Sequence, residues 1–265
     1  MMELLRTYLI ALRNTIRGFN LLKLPLVFTP KKLLECTQAE IFFFKTLTGR
    51  RGLSQRNVAD VLGQPKGPVD IRLALPGKWL APDSSYTKDL ISLCLLCRIL
   101  RPQTVFEIGT LDGYTAYHLA LNTPDEARIF TLDLPARLDS PPALSVTWMD
   151  RQHITASRSF DRLAFQEAPE EKKITRLYGD SARFDFSPYL GKIDLFFIDG
   201  AHSYDYVRSD SLQALRCIKK GGVVAWHDYG RAGLNGVSRF LHEMVSEHEI
   251  YSVPGSSLAF MIGDK

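Results

Sequence analysis

The sequence predicts an α/β protein organised on a doubly wound, mostly parallel sheet, and three observations carry that expectation. Apolar, β-rich runs recur at 104–108, 128–132, 174–178, 193–198 and 222–226. Helical stretches lie between them, at 113–122, about 157–168, 204–219 and 235–247. Strands that alternate with helices imply crossover connections, and those make parallel neighbours. The third observation is the end of the first run, where Glu107-Ile108-Gly109 is followed by Gly113 and Tyr114. That pattern reads as a buried strand breaking through a tight turn into a helix, the place where α/β proteins hold nucleotide-like ligands.

Along the chain, Leu5, Tyr8, Leu9, Leu12, Ile16 and Phe19 follow helical spacing over 2–22, with Arg6, Arg13 and Arg17 on another face. Such a basic amphipathic helix suits an anionic membrane surface or the cover of a domain or partner subunit. Thr29-Pro30 is a good start signal for a second helix running to about Gly49, within which Phe42, Phe43 and Phe44 read as core or interface. Residues 50–86 are rich in Gly and Pro, with a short helix expected near 54–62. A helix is expected at 87–100, stopped by Arg101-Pro102. At the other end, Ile250–Val253 and Leu258–Ile262 flank a Pro254-Gly255 turn, so the last strand should be antiparallel. The expected division is an N-terminal helical extension over 1–86 and the ligand-binding domain over 87–265. Between them, the connection at 134–173 is long enough to carry structure of its own.

Charge is uneven. Residues 1–56 hold ten Lys and Arg against three acids, a net +7, which leaves −3 for the rest of a chain whose total is +4. Without a basic block interleaved with aromatics, nucleic acid is the poorest candidate partner. The arginines at the N-terminus interrupt any signal-peptide core, and no apolar run is long enough for a membrane span. Four cysteines without secretory context fit a reduced compartment, so a cytoplasmic protein is expected. Cys94-Leu95-Leu96-Cys97 has C-x-x-C spelling but sits in an apolar helix, where packing is the simpler account.

The ligand turn can be narrowed by elimination. A dinucleotide site wants three glycines and a pyrophosphate on the helix N-terminus, whereas Gly109 and Gly113 are only two and Glu107 would repel phosphate. No phosphate-loop motif occurs. Asp133 ends the second strand about twenty residues later, where a carboxylate can accept both hydroxyls of a ribose. A nucleoside with an amino-acid end and no phosphate is S-adenosylmethionine. The alternatives kept beside this reading are an NAD(P)-type Rossmann oxidoreductase and a non-catalytic, membrane-recruited binding protein.

Glu107-Ile108-Gly109-Thr110, followed by Gly113-Tyr114-Thr115, resembles the first motif of the class I S-adenosylmethionine-dependent methyltransferases, closest to their small-molecule O-methyltransferase branch. The resemblance covers about 103–262 and implies a Rossmann-like, seven-stranded sheet with an antiparallel C-terminal hairpin. By that likeness Glu107, Gly109, Thr110, Gly113, Tyr114 and Thr115 cradle the methionine end and Asp133 the ribose. Asp180 and Ser181, after the third strand, then contact adenine. Asp199 and Asp228 match strand-end carboxylates that hold Mg²⁺ or a similar cation in metal-dependent members, and His227 stands where some members have a carboxylate. Catechol-type enzymes carry Lys where this chain has His202, three residues after Asp199. An imidazole there could take the acceptor's proton. The expectation is methyl transfer to a hydroxyl of a sugar-like or natural-product-like small molecule, catalysed by His202, His227 and Asp199, with a divalent metal, membrane contact and homo-oligomerisation left open. Arg151, Arg158 and Arg162 could bind an anionic acceptor or face solvent.

Overall fold

A computed structural model describes residues 52–74, 85–135, 140–157, 162–231 and 234–263. The helices expected over 2–22 and to Gly49, the run Phe42–Phe44, and Arg158 lie outside the described residues. Eight strands form one sheet: β1 (Ser54–Gln55), β2 (Thr104–Ile108), β3 (Arg128–Asp133), β4 (Ile174–Tyr178), β5 (Ile193–Ile198), β6 (Ile218–Trp226), β7 (Ile250–Ser252) and β8 (Ala259–Ile262). Their order is β1-β7-β8-β6-β5-β2-β3-β4. Only β8 runs antiparallel to its neighbours β6 and β7. This is the Rossmann-like fold expected, with one addition: Ser54 and Gln55 pair with Tyr251 and Ser252 and add an eighth, edge strand. The helix expected near 54–62 is accordingly shorter, α1 (Val58–Leu62), because the first residues are taken by the sheet edge.

Helices α2 (Ser85–Leu100), α3 (Tyr114–Asn122), α4 (Trp148–Ser157), α5 (Tyr204–Cys217) and α6 (Asn235–Met244) complete the framework. The central strands are buried on both faces, so alternate residues feed two cores. Phe106, Phe196, Ile198, Val224 and Trp226 pack on one side with Val207 and Leu241. Val105, Leu195, Phe197, Val223 and Ala225 pack on the other with Leu93, Leu96, Cys97 and Leu119. Cys94 and Cys97 are free and buried, and burial pushes the Cys94 thiol up to about 12, as packing residues should be.

Two boundaries differ from expectation for local reasons. The helix placed at about 157–168 instead occupies 148–157. Thr147 Oγ1 accepts from Asp150 N at 3.1 Å while Asp150 Oδ2 accepts from Thr147 N at 2.7 Å, a reciprocal cap that starts α4 nine residues early. Strand β6 begins at Ile218, which pairs with Ile193, and its register shifts before Leu195 pairs with Val223.

Candidate active site

The strand order reverses between β5 and β2, so their carboxyl ends part and leave a crevice there. Gly109 is what lets the two ends approach: it has φ 104°, and a Cβ on it would lie 2.1 Å from Asp199 O. A cavity of about 290 Å³ opens at this edge. Gly109, Thr110, Thr115, Asp133, Asp180 and Ser181 line it, as do Asp199, His202, His227 and Asp228. Ten of the residues singled out in the sequence therefore meet at one pocket.

Glu107, Gly113 and Tyr114 are not on its surface. Glu107 is fully buried beneath the turn; its Oε2 accepts from Thr131 Oγ1 at 2.5 Å and its Oε1 has no partner. Burial holds its carboxyl well above the usual range, against the opposing effect of the Thr131 bond. Gly113, φ 77°, caps α3, and Tyr114 donates its hydroxyl to Ala74 O at 2.6 Å. Asp133 accepts from Leu111 N at 2.8 Å and Leu134 N at 2.7 Å; burial nevertheless raises its pKa. Asp180 is heavily engaged, taking Ala143 N at 2.7 Å, Ala182 N at 3.0 Å and Tyr206 OH at 2.9 Å.

At the ends of β5 and β6 the geometry is ionic. His202 Nε2 lies 2.7 Å from Asp228 Oδ2, and Nδ1 lies 2.8 Å from Asp150 Oδ1. Burial alone would lower the imidazole pKa, but the bonds to Asp150 and Asp228 outweigh it and push it up to about 10. His202 thus bridges two carboxylates through its two ring nitrogens. Asp150 is correspondingly held down, to about 2, its burial being outweighed by the bonds from His202.

His227 repeats the arrangement. Its Nε2 is 3.2 Å from Asp89 Oδ2, and its Nδ1 is 3.2 Å from both Asp199 Oδ1 and Asp228 Oδ1, close but not aligned as hydrogen bonds. Burial works against protonation here too, yet the Asp199 charge and the neighbouring carboxylates hold its pKa well above the ordinary value. Asp228 serves both rings from a left-handed backbone, φ 63°, a conformation that costs a non-glycine residue about 1–3 kcal/mol and re-aims the side chain along the sheet edge. Arg231 Nε stands 2.9 Å from its Oδ1.

A donor atom each from Asp199, His202 and Asp228 lie within 4.8 Å of one another, a spacing and donor set that fit a divalent cation. The sequence reading placed His227 in that set; the clustered donors include His202 in its place.

Asp150, Asp89, Arg231 and Tyr206 were missed in the sequence. Thr147-x-x-Asp150 is a legible capping signal, but nothing local says that the cap also reaches His202. Arg162 pairs with Glu167 at 2.6 Å and does not line the pocket, and neither does the exposed Arg151.

Residues 106–229 match a family described as "Methyltransferase domain". The stretch that builds the pocket is thus similar to methyltransferase domains. It runs from β2 through the residue after Asp228 and so includes the turn, Asp133, Asp180 and both histidines. The search of curated proteins matches nothing. Among solved structures, the SAH-bound Podospora anserina methyltransferase PaMTH1 is 16% identical, with 91% of this chain and 98% of that one covered at a TM-score of 0.49. The O-methyltransferase from Bacillus cereus in complex with SAH is 18% identical, with 90% and 93% covered at 0.47. The O-methyltransferase TomG from Streptomyces achromogenes, in complex with SAM, is also 18% identical, with 84% and 95% covered at 0.46.

Proposed function

We propose that the methyltransferase domain transfers a methyl group from S-adenosylmethionine to a hydroxyl of a small molecule. One observation carries the reading: a single cavity is lined both by the Gly109 turn with Asp133 and by the Asp199, His202 and Asp228 cluster. The first part suits a nucleoside with an ammonium end, and the second suits an oxygen nucleophile.

The fit to the cofactor rests on the chain's own groups. Asp133 presents a carboxylate for the ribose, Gly109 and Thr110 offer backbone beside it, and Glu107, buried beneath the turn, accepts from Thr131 Oγ1. Thr115 lines the cavity beside the turn, Gly113 and Tyr114 support it from behind as the start of α3, and Asp180 and Ser181 are read as the adenine end. S-adenosylmethionine, when bound, supplies an electrophilic methyl on a sulfonium, so the protein's work is placement and proton management.

Asp199 is the most open carboxylate of the cluster, with its side chain 26% exposed, and it accepts the hydrogen bond of the acceptor hydroxyl. His202 and Asp228 share a proton at Nε2, which sets the charge against which the alkoxide develops, and His227 flanks the same carboxylates. If a divalent cation is used, Asp199, Asp228 and His202, its Nε2 then without the proton shared with Asp228, would hold it, and it would lower the hydroxyl pKa. Residues 1–86 are read as an extension to the domain at 87–265, and β1 ties that extension into the sheet. Among the described residues Cys94, Cys97 and Cys217 are free and buried, which supports a cytoplasmic setting, and no helix is long and apolar enough to cross a membrane.

The test is transfer of labelled methyl from S-adenosylmethionine over a panel of hydroxylated small molecules, with EDTA and with Mg²⁺ or Mn²⁺ added. Labelled ether product is expected. Absence of both product and S-adenosylhomocysteine binding would refute the reading.

A further inference from the structure

Helix α2 precedes the matched stretch, yet one of its side chains reaches the site. Asp89 is 3% exposed and gathers five polar contacts. Its Oδ1 accepts from Ser256 Oγ and Ser257 N, both at 2.5 Å. Oδ2 accepts from Ser257 Oγ at 2.8 Å, Arg231 Nη2 at 2.8 Å and His227 Nε2 at 3.2 Å. The carboxylate therefore joins two separate pieces of chain to α2: the turn between β7 and β8, through Ser256 and Ser257, and the loop after β6, through His227 and Arg231.

A carboxylate that takes the Nε2 proton of an imidazole fixes both the ring orientation and which nitrogen faces the other way. For His227 the other nitrogen is Nδ1, which faces Asp199 and Asp228 at 3.2 Å. Rotation of the ring would break the Asp89 contact and turn Nδ1 away from both acids. Through Arg231 the same carboxylate also steadies Asp228, because the guanidinium pairs with both.

We propose that Asp89 is a positioning residue for methyl transfer, which locks the His227 ring and Arg231 so that Nδ1 and the Asp228 carboxylate face the acceptor oxygen. The proposal deepens the reading of the site as a hydroxyl methyltransferase and rests on it. It also makes α2, which lies outside the family-matched residues, a working part of the site.

The experiment compares full-length wild type, Asp89→Asn and Ser256→Ala. Asp89→Asn keeps the size and an acceptor for the β7–β8 turn but removes the charge facing His227 and Arg231. Expected for it is a fall in kcat of about 10- to 100-fold, the usual effect of losing such an outer partner. The KM for S-adenosylmethionine should change less than about threefold, because Asp89 does not line the cofactor turn. Long-range ¹H–¹⁵N spectra, with His227 identified by its loss in His227→Gln, should show its ring nitrogens shifted. Ser256→Ala removes a turn contact only, and should lower thermal stability while leaving kcat and the His227 signals in place. Wild-type kcat and unmoved His227 signals in folded Asp89→Asn would overturn the proposal. Should that variant not fold, Asp89→Glu keeps the charge but displaces it, and the same kcat loss and ring shift are expected; full activity with unmoved signals would overturn it. A wild-type protein that methylates no hydroxyl, yet whose His227 signals move in Asp89→Asn, would refute the methyltransferase reading and leave Asp89 holding the ring of an unrelated site, which also overturns the catalytic part of the proposal.

Discussion

Asp150 Oδ1 accepts two hydrogen bonds from His202, one from its backbone N–H at 2.9 Å and one from its ring Nδ1 at 2.8 Å. The other oxygen of the same carboxylate caps its own helix through Thr147 N. One buried side chain thereby fixes the long β3–β4 connection to the end of β5. The position of α4 over the pocket and the orientation of the His202 ring are consequently one structural fact.

Asp150→Ala separates the partners and leaves the His202 ring with Asp228 alone. Breaking one side of a buried ion pair costs about 3–5 kcal/mol. At roughly 2–4 °C per kcal/mol for a domain of this size, the melting temperature should fall by about 6–20 °C. Calorimetry of the purified variant checks this, and an unchanged melting temperature would remove Asp150 from the account.

Asp133 is assigned to the ribose, and its replacement should act on the cofactor alone. Hydrogen bonds to a charged group contribute about 1.5–3 kcal/mol, so Asp133→Ala should weaken S-adenosylhomocysteine binding by at least tenfold. Isothermal titration calorimetry reads the affinity directly. Wild-type affinity in a folded variant would mean that the ribose lies elsewhere.

Much of this arrangement is legible in the sequence because it follows from strand ends. Glu107, Asp133, Asp199 and Asp228 each stop an apolar run, and parallel strands bring their carboxyl ends to one edge, so the pocket can be located before any coordinates exist. What is not legible is any partner that comes from off the sheet. Asp150 and Asp89 reach the histidines from helices 52 and 138 residues away in sequence, and no periodicity records such a contact. The setting of His202 is hidden for the same reason: its ring is held by Asp150, whose distance from it only the fold reveals. Boundaries moved where local chemistry competed with hydrophobic pattern, as when the Thr147–Asp150 cap opened α4 early.

Gly109 and Gly63 offer a controlled comparison. Their φ angles are 104° and 105°, but a Cβ on Gly63 meets nothing within 4 Å, whereas one on Gly109 meets Asp199 O at 2.1 Å. Gly63→Ala should therefore cost only the backbone strain, about 1–3 kcal/mol. Gly109→Ala adds overpacking of about 1–3 kcal/mol and pushes β2 from β5. Urea melts of the two variants should place Gly109→Ala lower and only that variant should lose S-adenosylhomocysteine binding. Equal stabilities would contradict the close approach at this edge.

Asp210 on α5 sets a pH dependence of stability that is separate from the site's ionic cluster. It is fully buried behind Gly200, neither of its oxygens makes a well-formed hydrogen bond, and Ser181 is the hydroxyl that approaches it. Burial and the Asp180 charge raise its pKa to about 7, with Ser181 opposing. The folded protein thus holds a proton that the unfolded chain releases near pH 3.8. Between those values the folded state binds more protons, so this group's contribution to stability declines as pH rises from about 4 to about 7 and is fully lost above. At about 1.4 kcal/mol per unit, the decline amounts to a few kcal/mol. Asp210→Asn has the shape of the protonated acid and cannot ionise. Its melting temperature should match wild type near pH 4, exceed it by a growing margin toward pH 7, and keep that margin at pH 8. A margin that is flat across this range, or that shrinks as pH rises, would show that Asp210 is ionised in the folded protein and that its burial is compensated by a partner.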